Sequence, residues 1–419
     1  MSSEFLEEEA YSFLTSLAYE RFVGTAGEEE ARKYIMSIME KAGYETLYEE
    51  FTVKTFKILR NELHILEPWN EEINCRGVGF SGSTPEEGVV APICYVETGD
   101  PLLLPETKRE MLLFSESPAS VEKLIELAKY EPSGMVFSEN MPIKKPSQVG
   151  RLFEVSRRFR VPTVFIRFED AFKLVRNHAS KSKLILLQEE LDANTGNIVF
   201  EKKGAKHPDE IIVVGAHYDS VYGVQGAADN AGGVAVLMEL AKSMGHSNLK
   251  RSVRFIFFSG EELGLRGSFN YVEKHKDEME KIVMMINLDV NGSAIGGCNA
   301  IVTGPLEIKM YLEAMSKELG VNLAVSQDVH SSDSVPFSNK SVPSVGFFRR
   351  SGAGVYIHTP EDDTRFSAPI GFKMIGIIVR EFLLRMANAE SFPFKHEIPE
   401  DVKKKIQDYL KNRGFEKGV

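Results

Sequence analysis

Two imidazoles and three carboxylates of this 419-residue chain follow apolar segments or lie in loops, where side chains can leave a protein core. These candidate metal ligands are His217, Asp229, Glu262, Asp289 and His358. Imidazole and carboxylate groups suit zinc, and also cobalt or manganese. Five ligands are too many for one tetrahedral zinc with an open position, so the set predicts two ions that share one carboxylate. Two ions about 3.5–4 Å apart can hold a hydroxide between them and polarise a carbonyl group.

Two further carboxylates are expected to support this chemistry. Glu261 precedes Glu262 in the segment GEELG, and adjacent residues in a turn can point in different directions. Glu261 is therefore predicted to remain unligated and to take the proton from the attacking water. Asp219 is two residues beyond His217 and projects to the same side of an extended segment. We expect Asp219 to accept the second N–H of His217 and to fix its tautomer.

Each of these residues alone has an ordinary structural explanation. A pair of glutamates is common at a helix N-terminus, where it is favourable to the helix dipole, and Asp229 or Asp289 could cap a turn or a helix. A single histidine is usually structural or solvated. The joint occurrence of six such residues in the right places of the fold is what favours a functional site.

The elements that would position these residues are alternating strands and helices. The strand segments DEIIVVGA, VRFIFFSG and IVMMINL are nearly continuously apolar, as expected for parallel strands that are covered on both faces. Helical patterns such as AGGVAVLMELAKSM separate them. The alternation predicts a three-layer αβα fold with a mostly parallel mixed sheet. Ligands bind beyond the carboxyl ends of such strands, so the candidate residues should converge on one edge of the sheet.

The first 188 residues indicate two further regions. Residues 4–20 have a helical stripe, and Thr25 and Glu28 form a capping box that opens a second helix, which Gly43 ends. From about residue 66, glycines and prolines separate short β-like runs. This change predicts a smaller, inserted β-rich α/β domain over residues 66–188, within a catalytic domain formed by residues 1–65 and 189–419.

Charge and composition exclude several classes of protein. The chain has 50 basic and 61 acidic residues, so there is no global basic field to bind a nucleic acid. The acidic N-terminus is not typical of a signal peptide, and the absence of long apolar runs argues against membrane association. Three cysteines fit no metal or disulfide pattern. These features together predict a cytoplasmic location.

Several segments in this chain resemble a known family. GAHYDSV, GAADNAGGVAVLMELA, FFSGEELGLRGS, INLDV and IHTPEDD resemble, in order, the motifs of the di-zinc aminopeptidase family, which includes bacterial leucyl aminopeptidases and glutamate carboxypeptidase. RFVGTAGEEEARKYI resembles that family's N-terminal segment. The resemblance implies that His217 and Asp289 hold one zinc ion and that Glu262 and His358 hold the other. Asp229 would bridge the two ions.

The same resemblance implies roles outside the ligand set. Glu261 would be the general base of a peptidase, and Asp219 would support His217. The region before the metal-binding motifs resembles a protease-associated domain, chiefly through VPTVFIRFEDAFKL. Asp333 and Tyr356 are candidate contacts for the substrate or the oxyanion. The inserted domain could shape substrate access or a subunit interface, so a homo-oligomer is among the expected partners.

Four alternatives remain open. A carboxypeptidase-like enzyme would read a substrate carboxylate with Arg349, Arg350 or Arg266. A glutaminyl cyclase would use the scaffold with a single zinc ion. Another metallohydrolase class has its extra domain after the Glu-Glu segment, whereas the insertion here precedes it. A receptor-like, inert relative should have lost ligands. The sequence therefore predicts a metal-dependent exopeptidase, foremost an aminopeptidase that acts on peptides.

Overall fold

The computed structural model describes residues 4–106, 109–114, 121–139, 160–245 and 247–415 of the chain. The helices in these ranges are α1 (Glu7–Leu17), α2 (Ala26–Lys41), α3 (Val121–Ala128), α4 (Phe168–Arg176), α5 (Gly233–Met244), α6 (Arg266–Lys274), α7 (Leu306–Glu318), α8 (Ser334–Asn339), α9 (Ile370–Asn388) and α10 (Glu400–Arg413). The strands are β1 (Leu47–Glu67), β2 (Glu71–Ile73), β3 (Cys75–Gly77), β4 (Val89–Tyr95), β5 (Met111–Phe114), β6 (Gly134–Ser138), β7 (Thr163–Ile166), β8 (Lys181–Lys202), β9 (His207–His217), β10 (Arg251–Phe258), β11 (Ile282–Leu288), β12 (Gly297–Thr303), β13 (Leu323–Gln327) and β14 (Ser344–Arg350).

The main sheet is mixed and mostly parallel in its centre, as predicted. Its strands follow the order β13-β12-β14-β11-β9-β10-β8. Strands β14, β11, β9 and β10 run parallel to one another, while β8 and β12 pair antiparallel with their neighbours. The central strands bury nearly every side chain because helices cover both faces of the sheet.

The two faces of the main sheet pack against different helices. On one face, buried residues of α1, α2, α5, α7 and α9 form a large core with strand residues such as Ile212, Phe255 and Ile286. On the other face, Tyr271 of α6 and Phe337 of α8 pack on strand residues of alternate orientation. This arrangement is the three-layer αβα fold that the sequence predicts.

The N-terminal helices confirm the predicted boundaries closely, with one difference at the cap of α2. Thr25 Oγ1 accepts the backbone N–H of Glu28 at 3.3 Å, which is the forward half of the predicted capping box. The return bond differs, because Glu28 Oε2 accepts the N–H of Gly24 at 2.7 Å rather than that of Thr25. Gly43 follows the helix with φ of 92°, a left-handed conformation that favours glycine.

The chain between β1 and β8 forms a smaller sheet, which consists of β3, β4, β5, β6 and β7. Strands β4, β5, β6 and β7 are parallel neighbours, and β3 pairs antiparallel with β7. Two separate hydrophobic clusters pack on these strands. The predicted domain boundaries at residues 65/66 and 188/189 fall inside β1 and β8, which pair antiparallel from Leu47–Val199 to Glu67–Lys181. Within the described part of the chain, no helix is both long and apolar enough to cross a membrane.

Candidate metal centre

Three of the predicted site segments lie at the carboxyl ends of neighbouring parallel strands. His217 is the last residue of β9, and Glu261 and Glu262 follow the end of β10 at Phe258. Asp289 comes directly after Leu288, the last residue of β11. Because β9 pairs in parallel with both β10 and β11, these ends meet at one edge of the sheet. The predicted convergence is therefore observed.

Asp229 reaches this edge from the turn that precedes α5. The turn spans Ala227–Gly232, and Asp229 departs from helical geometry with φ of −117° and ψ of 89°. Asn230 rather than Asp229 binds the start of α5, since its Oδ1 accepts the N–H of Gly233, the first residue of the helix, at 3.0 Å. A Cβ atom on Gly233 would lie 2.4 Å from the carbonyl oxygen of Leu288. Glycine at this position therefore permits the close approach of the turn to β11.

His358 comes from the loop that follows β14. A 3₁₀ turn over Gly352–Tyr356 precedes it, and His358 itself adopts a left-handed φ of 60°. The next residue, Thr359, donates both its N–H and its hydroxyl to the carbonyl of Tyr356. These bonds close a tight turn, so the imidazole of His358 extends towards Asp229.

The five predicted ligands form two groups that share Asp229. In the first group, Nε2 of His217 lies 3.2 Å from Oδ1 of Asp229 and 3.5 Å from Oδ1 of Asp289. In the second, Nε2 of His358 lies 3.0 Å from Oδ2 of Asp229 and 3.5 Å from Oε2 of Glu262. The candidate ligand atoms of each group lie within 4.8 Å of one another. Asp229 thus offers a different carboxylate oxygen to each imidazole.

These residues fit two divalent ions by donor type and by spacing. Donor atoms on a tetrahedral zinc with bonds of about 2.0–2.2 Å are about 3.3–3.6 Å apart, and the observed nitrogen–oxygen separations are 3.0–3.5 Å. Seven carboxylates lie in or beside the site, those of Asp219, Asp229, Glu261, Glu262, Asp289, Asp333 and Asp362. Such an accumulation of buried negative charge is costly unless cations or protons compensate it.

The protonation states of the ligands reflect this compensation. Burial alone would lower the pKa of His358, but the carboxylates of Glu262 and Asp229 raise it to about 10. The pKa of His217 is likewise raised well above its ordinary value by three aspartates, against the opposing effect of burial. Burial raises the pKa of Glu262 to about 8. Burial would also raise the pKa of Asp229, but hydrogen bonds from the two histidines lower it below the usual range.

Asp219 lies beside His217, and it also contacts a second part of the site. Its Oδ1 and Oδ2 accept the backbone N–H groups of Glu261 and Glu262, each at 3.2 Å. Its carboxylate lies 3.5 Å from Nδ1 of His217, whereas its main-chain carbonyl oxygen is nearer, at 3.3 Å. Asp219 therefore contacts the non-ligand nitrogen of His217 and also fixes the turn that carries both glutamates.

Glu261 and Glu262 are separated by this turn. Glu262 belongs to the second ligand group, while Glu261 belongs to neither group in the described structure. Burial raises the pKa of Glu261 well above its usual value, with Glu262 and Asp333 adding to the rise and the charge of His217 opposing it. A buried carboxyl group with a raised pKa is suited to proton transfer.

The two predicted substrate contacts differ in their accessibility. The side chain of Asp333 is 0% exposed, so its carboxylate has no direct access to a substrate in this structure. Tyr356 is half-buried and stacks in parallel on Phe366, with 5.6 Å between the ring centroids. The Tyr356 ring, two residues from His358, therefore remains a candidate for contact with the substrate.

Two buried residues of the site were missed from the sequence. Arg21 donates to the main-chain carbonyl groups of Tyr218, Gln225 and Gly226, and Asp362 accepts the N–H groups of Ala228 and Asp229. Both lie in segments that resemble the family, RFVGTAGEEE and IHTPEDD. An arginine beside apolar residues, and an aspartate four residues after a ligand, were the available signals.

Comparisons with known proteins extend these observations. The model of peptidase family M28 matches residues 197–383. Aminopeptidase YwaD of Bacillus subtilis is 26% identical over 423 aligned residues, which cover 97% of this chain and 90% of that protein. Leucine aminopeptidase 2 of Trichophyton rubrum is 31% identical over 267 residues, or 60% of this chain and 52% of that one. The chain thus spans about half the length of this second relative.

A solved structure agrees in fold. BSAP, a zinc aminopeptidase from Bacillus subtilis, superposes with a TM-score of 0.78 at 24% sequence identity, covering 96% of this chain and 100% of that one. An αβα fold that carries this ligand set at the carboxyl edge of its sheet is that of a metal-dependent hydrolase. The likeness is narrower where the ligands lie: the match to peptidase family M28 covers residues 197–383, which include all five candidate ligands.

Proposed function

We propose that this protein is an aminopeptidase that removes N-terminal residues from peptides and binds two zinc ions for this purpose. The observation that carries the proposal is the position of Asp229, whose Oδ1 and Oδ2 lie 3.2 Å and 3.0 Å from the imidazoles of His217 and His358. A carboxylate placed in this way suits a pair of ions that it bridges. Cobalt or manganese are substitutes that the same ligands would accept.

The names of the relatives support the choice of reaction. YwaD is named an aminopeptidase, the fungal relative a leucine aminopeptidase, and BSAP a zinc aminopeptidase. YwaD aligns along nearly the whole of this chain, including the region of the smaller sheet. These names concern other proteins, and they agree with what the ligand set of this chain favours.

The site residues would have separate roles in peptide hydrolysis. Bound divalent ions polarise a scissile carbonyl and lower the pKa of a water molecule. Glu261 takes a proton from the attacking water and returns it to the leaving amine, because its carboxylate is held beside the ligands without joining them. Asp219 keeps Glu261 and Glu262 in their separate positions through their backbone N–H groups.

Two of the three candidate arginines, Arg349 and Arg266, are less consistent with a carboxypeptidase. The guanidinium of Arg349 donates to the carbonyl oxygens of Ser293 and Ala294, at 2.6 Å and 3.3 Å, and is largely buried. Arg266 donates to the carbonyl oxygen of Leu263. Because these two guanidinium groups bind the protein's own backbone, they are less available to bind a substrate carboxylate. An inert binding protein is also disfavoured, because the chain keeps all five ligands and Glu261.

A peptide panel tests the proposal. The metal-loaded protein is incubated with three versions of one peptide, which have both ends free, an acetylated N-terminus, or an amidated C-terminus, and the products are identified by mass spectrometry. An aminopeptidase shortens the free and C-amidated peptides stepwise from the N-terminus and leaves the acetylated one intact. Cleavage of the acetylated peptide from its C-terminus, or no cleavage of any peptide, contradicts the proposal.

The predictions of cellular location and oligomeric state are also part of this proposal. A cytoplasmic location agrees with three cysteines that are all free thiols. The smaller sheet would shape access for long peptides or contribute to a homo-oligomer. Fractionation of cells and the mass of the protein in solution test these two expectations, respectively.

A further inference from the structure

The segment that carries Asp229 is held by two buried side chains from distant parts of the chain. We define residues 225–229 as the bridge segment. Arg21 lies between α1 and α2, and Asp362 lies four residues beyond His358. Arg21 is 0% exposed and Asp362 is 5% exposed. One residue binds carbonyl groups of the bridge segment and the other binds N–H groups.

Arg21 holds the beginning of the bridge segment. Its Nη1 donates to the carbonyl oxygen of Gln225 at 2.7 Å, and its Nη2 donates to that of Gly226 at 3.0 Å. Its Nε donates to the carbonyl oxygen of Tyr218 at 2.8 Å, directly after His217. Nη1 also donates to the carbonyl oxygens of Leu17 and Tyr19, which precede Arg21 in the chain. The single guanidinium therefore joins the strand end at His217 to the approach to Asp229.

Asp362 holds the end of the bridge segment. Its Oδ1 accepts the N–H of Ala228 at 2.8 Å, and its Oδ2 accepts the N–H of Asp229 at 3.1 Å. Its main-chain carbonyl accepts the N–H of Ala227 at 3.2 Å. Asp362 thus joins the loop of His358 to the backbone of Asp229.

The local backbone explains why side chains are needed here. Gly226 has a left-handed φ of 58°, and Asp229 has φ of −117° and ψ of 89°. Such angles interrupt the regular helical ladder, so these backbone groups require other partners. A cationic donor on the carbonyl groups and an anionic acceptor on the N–H groups satisfy them with charge-assisted hydrogen bonds.

We propose that Arg21 and Asp362 are positioning residues that fix the backbone of Asp229, so that each of its carboxylate oxygens faces one imidazole, and that they thereby set the affinity of the two-metal site. The inference rests on the proposed function, since it concerns the same two ions. It assigns to these residues a role in metal affinity that can be measured without any substrate.

The decisive variant is Asp362→Asn. An amide offers one acceptor oxygen, and its NH₂ group faces a backbone N–H, so the hold on Asp229 is weakened while volume is kept. Loss of a partner that orients a ligand costs about 10–100-fold in metal affinity. We expect a fall of this size for at least one ion by calorimetric titration of the metal-free protein with zinc. Activity should recover as the zinc concentration is raised, which a purely structural defect would not allow.

Two further variants complete the experiment. Asp363→Asn makes the same change one residue along the chain, at a side chain that pairs with Arg365, and should bind zinc as the wild type does. Arg21→Lys keeps the buried charge but cannot reach three separated carbonyl groups, so it should weaken zinc binding in the same direction as Asp362→Asn.

The outcomes separate this inference from the proposed function. Wild-type affinities for both ions in Asp362→Asn and Arg21→Lys would overturn the inference. So would failure of both variants to fold in the metal-free state, because the role would then be one of folding. If the wild-type protein itself takes up fewer than two ions, the proposed function fails instead.

Discussion

Glu239 accepts the backbone N–H of Leu6, with 3.2 Å between Oε1 and the amide nitrogen. Glu239 lies within α5 and is 2% exposed, and Leu6 directly precedes α1. The bond therefore connects the beginning of α1 to α5. Burial raises the pKa of Glu239 to about 7, with the Leu6 N–H opposing the rise and the carboxylate of Glu9 adding to it.

Stability should therefore depend on pH through Glu239. An unfolded glutamate has a pKa of about 4.3, so between that pH and about 7 the folded state retains a proton that the unfolded chain has lost. The free energy of unfolding then decreases as the pH rises through this window. Glu239→Gln keeps an acceptor for Leu6 and removes the charge.

We expect Glu239→Gln to melt above the wild-type protein at pH 8, by about 1 °C for each kcal/mol gained in a chain of this length, and to lose this advantage near pH 4.5. Thermal melts of the metal-loaded proteins over this range measure the effect. Glu8→Gln, on the exposed side of α1, is the matched control and should leave the pH profile unchanged. Identical profiles for Glu239→Gln and the wild type would contradict the prediction.

The adjacent glutamates should respond differently to the same substitution. Glu261→Gln should retain its bound metal while kcat falls by about 10²–10⁴-fold, because the proton acceptor is lost. Glu262→Gln should lose bound metal, since Glu262 belongs to a ligand group. Elemental analysis and steady-state kinetics of the two variants provide the comparison. Near-normal turnover by Glu261→Gln would show that another group is the base.

Asp229→Ala should reduce the metal content below two equivalents, because both imidazoles lose the carboxylate that lies between them. Asp229→Asn keeps one oxygen and should retain more metal than Asp229→Ala. Elemental analysis after gel filtration measures both variants. Two full equivalents in Asp229→Ala would be incompatible with a bridging position.

Metal binding at pH 7 should release protons. The pKa of Glu262 is about 8 and that of His358 about 10 in the absence of an ion, so both groups carry protons that a metal must displace. The release from Glu262 should disappear as the pH rises above about 8, and that from His358 above about 10. Calorimetry in buffers of different ionisation enthalpy counts the protons. A heat of binding that is the same in all buffers at pH 7 would refute this prediction.

Much of the fold could be predicted because the central strands are unambiguous. IIVVGA, VRFIFF and IVMMINL are apolar along their whole length, and only strands covered on both faces fit that pattern. The sequence does not predict strands β12 and β13, which have only seven and five residues; β13 is the edge strand and most of its residues are exposed or half-buried. Their positions depend on pairing with β14, which no local pattern records.

The ligands could be predicted better than their supports. A ligand stands out by residue type at a strand end, as His217 and Asp289 do. Arg21 and Asp362 act on backbone groups of a segment that is about 200 residues away from Arg21 and about 130 from Asp362. Such partners depend on tertiary folding alone. The same reason explains why the carboxylate of Asp219 binds the turn of Glu261 rather than only the imidazole of His217.

The long antiparallel ribbon of β1 and β8 joins the two sheets of the molecule. The two strands have 21 and 22 residues and pair from the main sheet into the region of the smaller one, with register shifts after Ile58 and Ile65. Strand β8 also pairs with β10, and Glu261 follows the end of that strand. Strand β8 therefore connects the smaller sheet directly to the edge of the main sheet that carries the candidate ligands. Removal of residues 66–188 would shorten both strands of this ribbon, so the ribbon is part of both sheets.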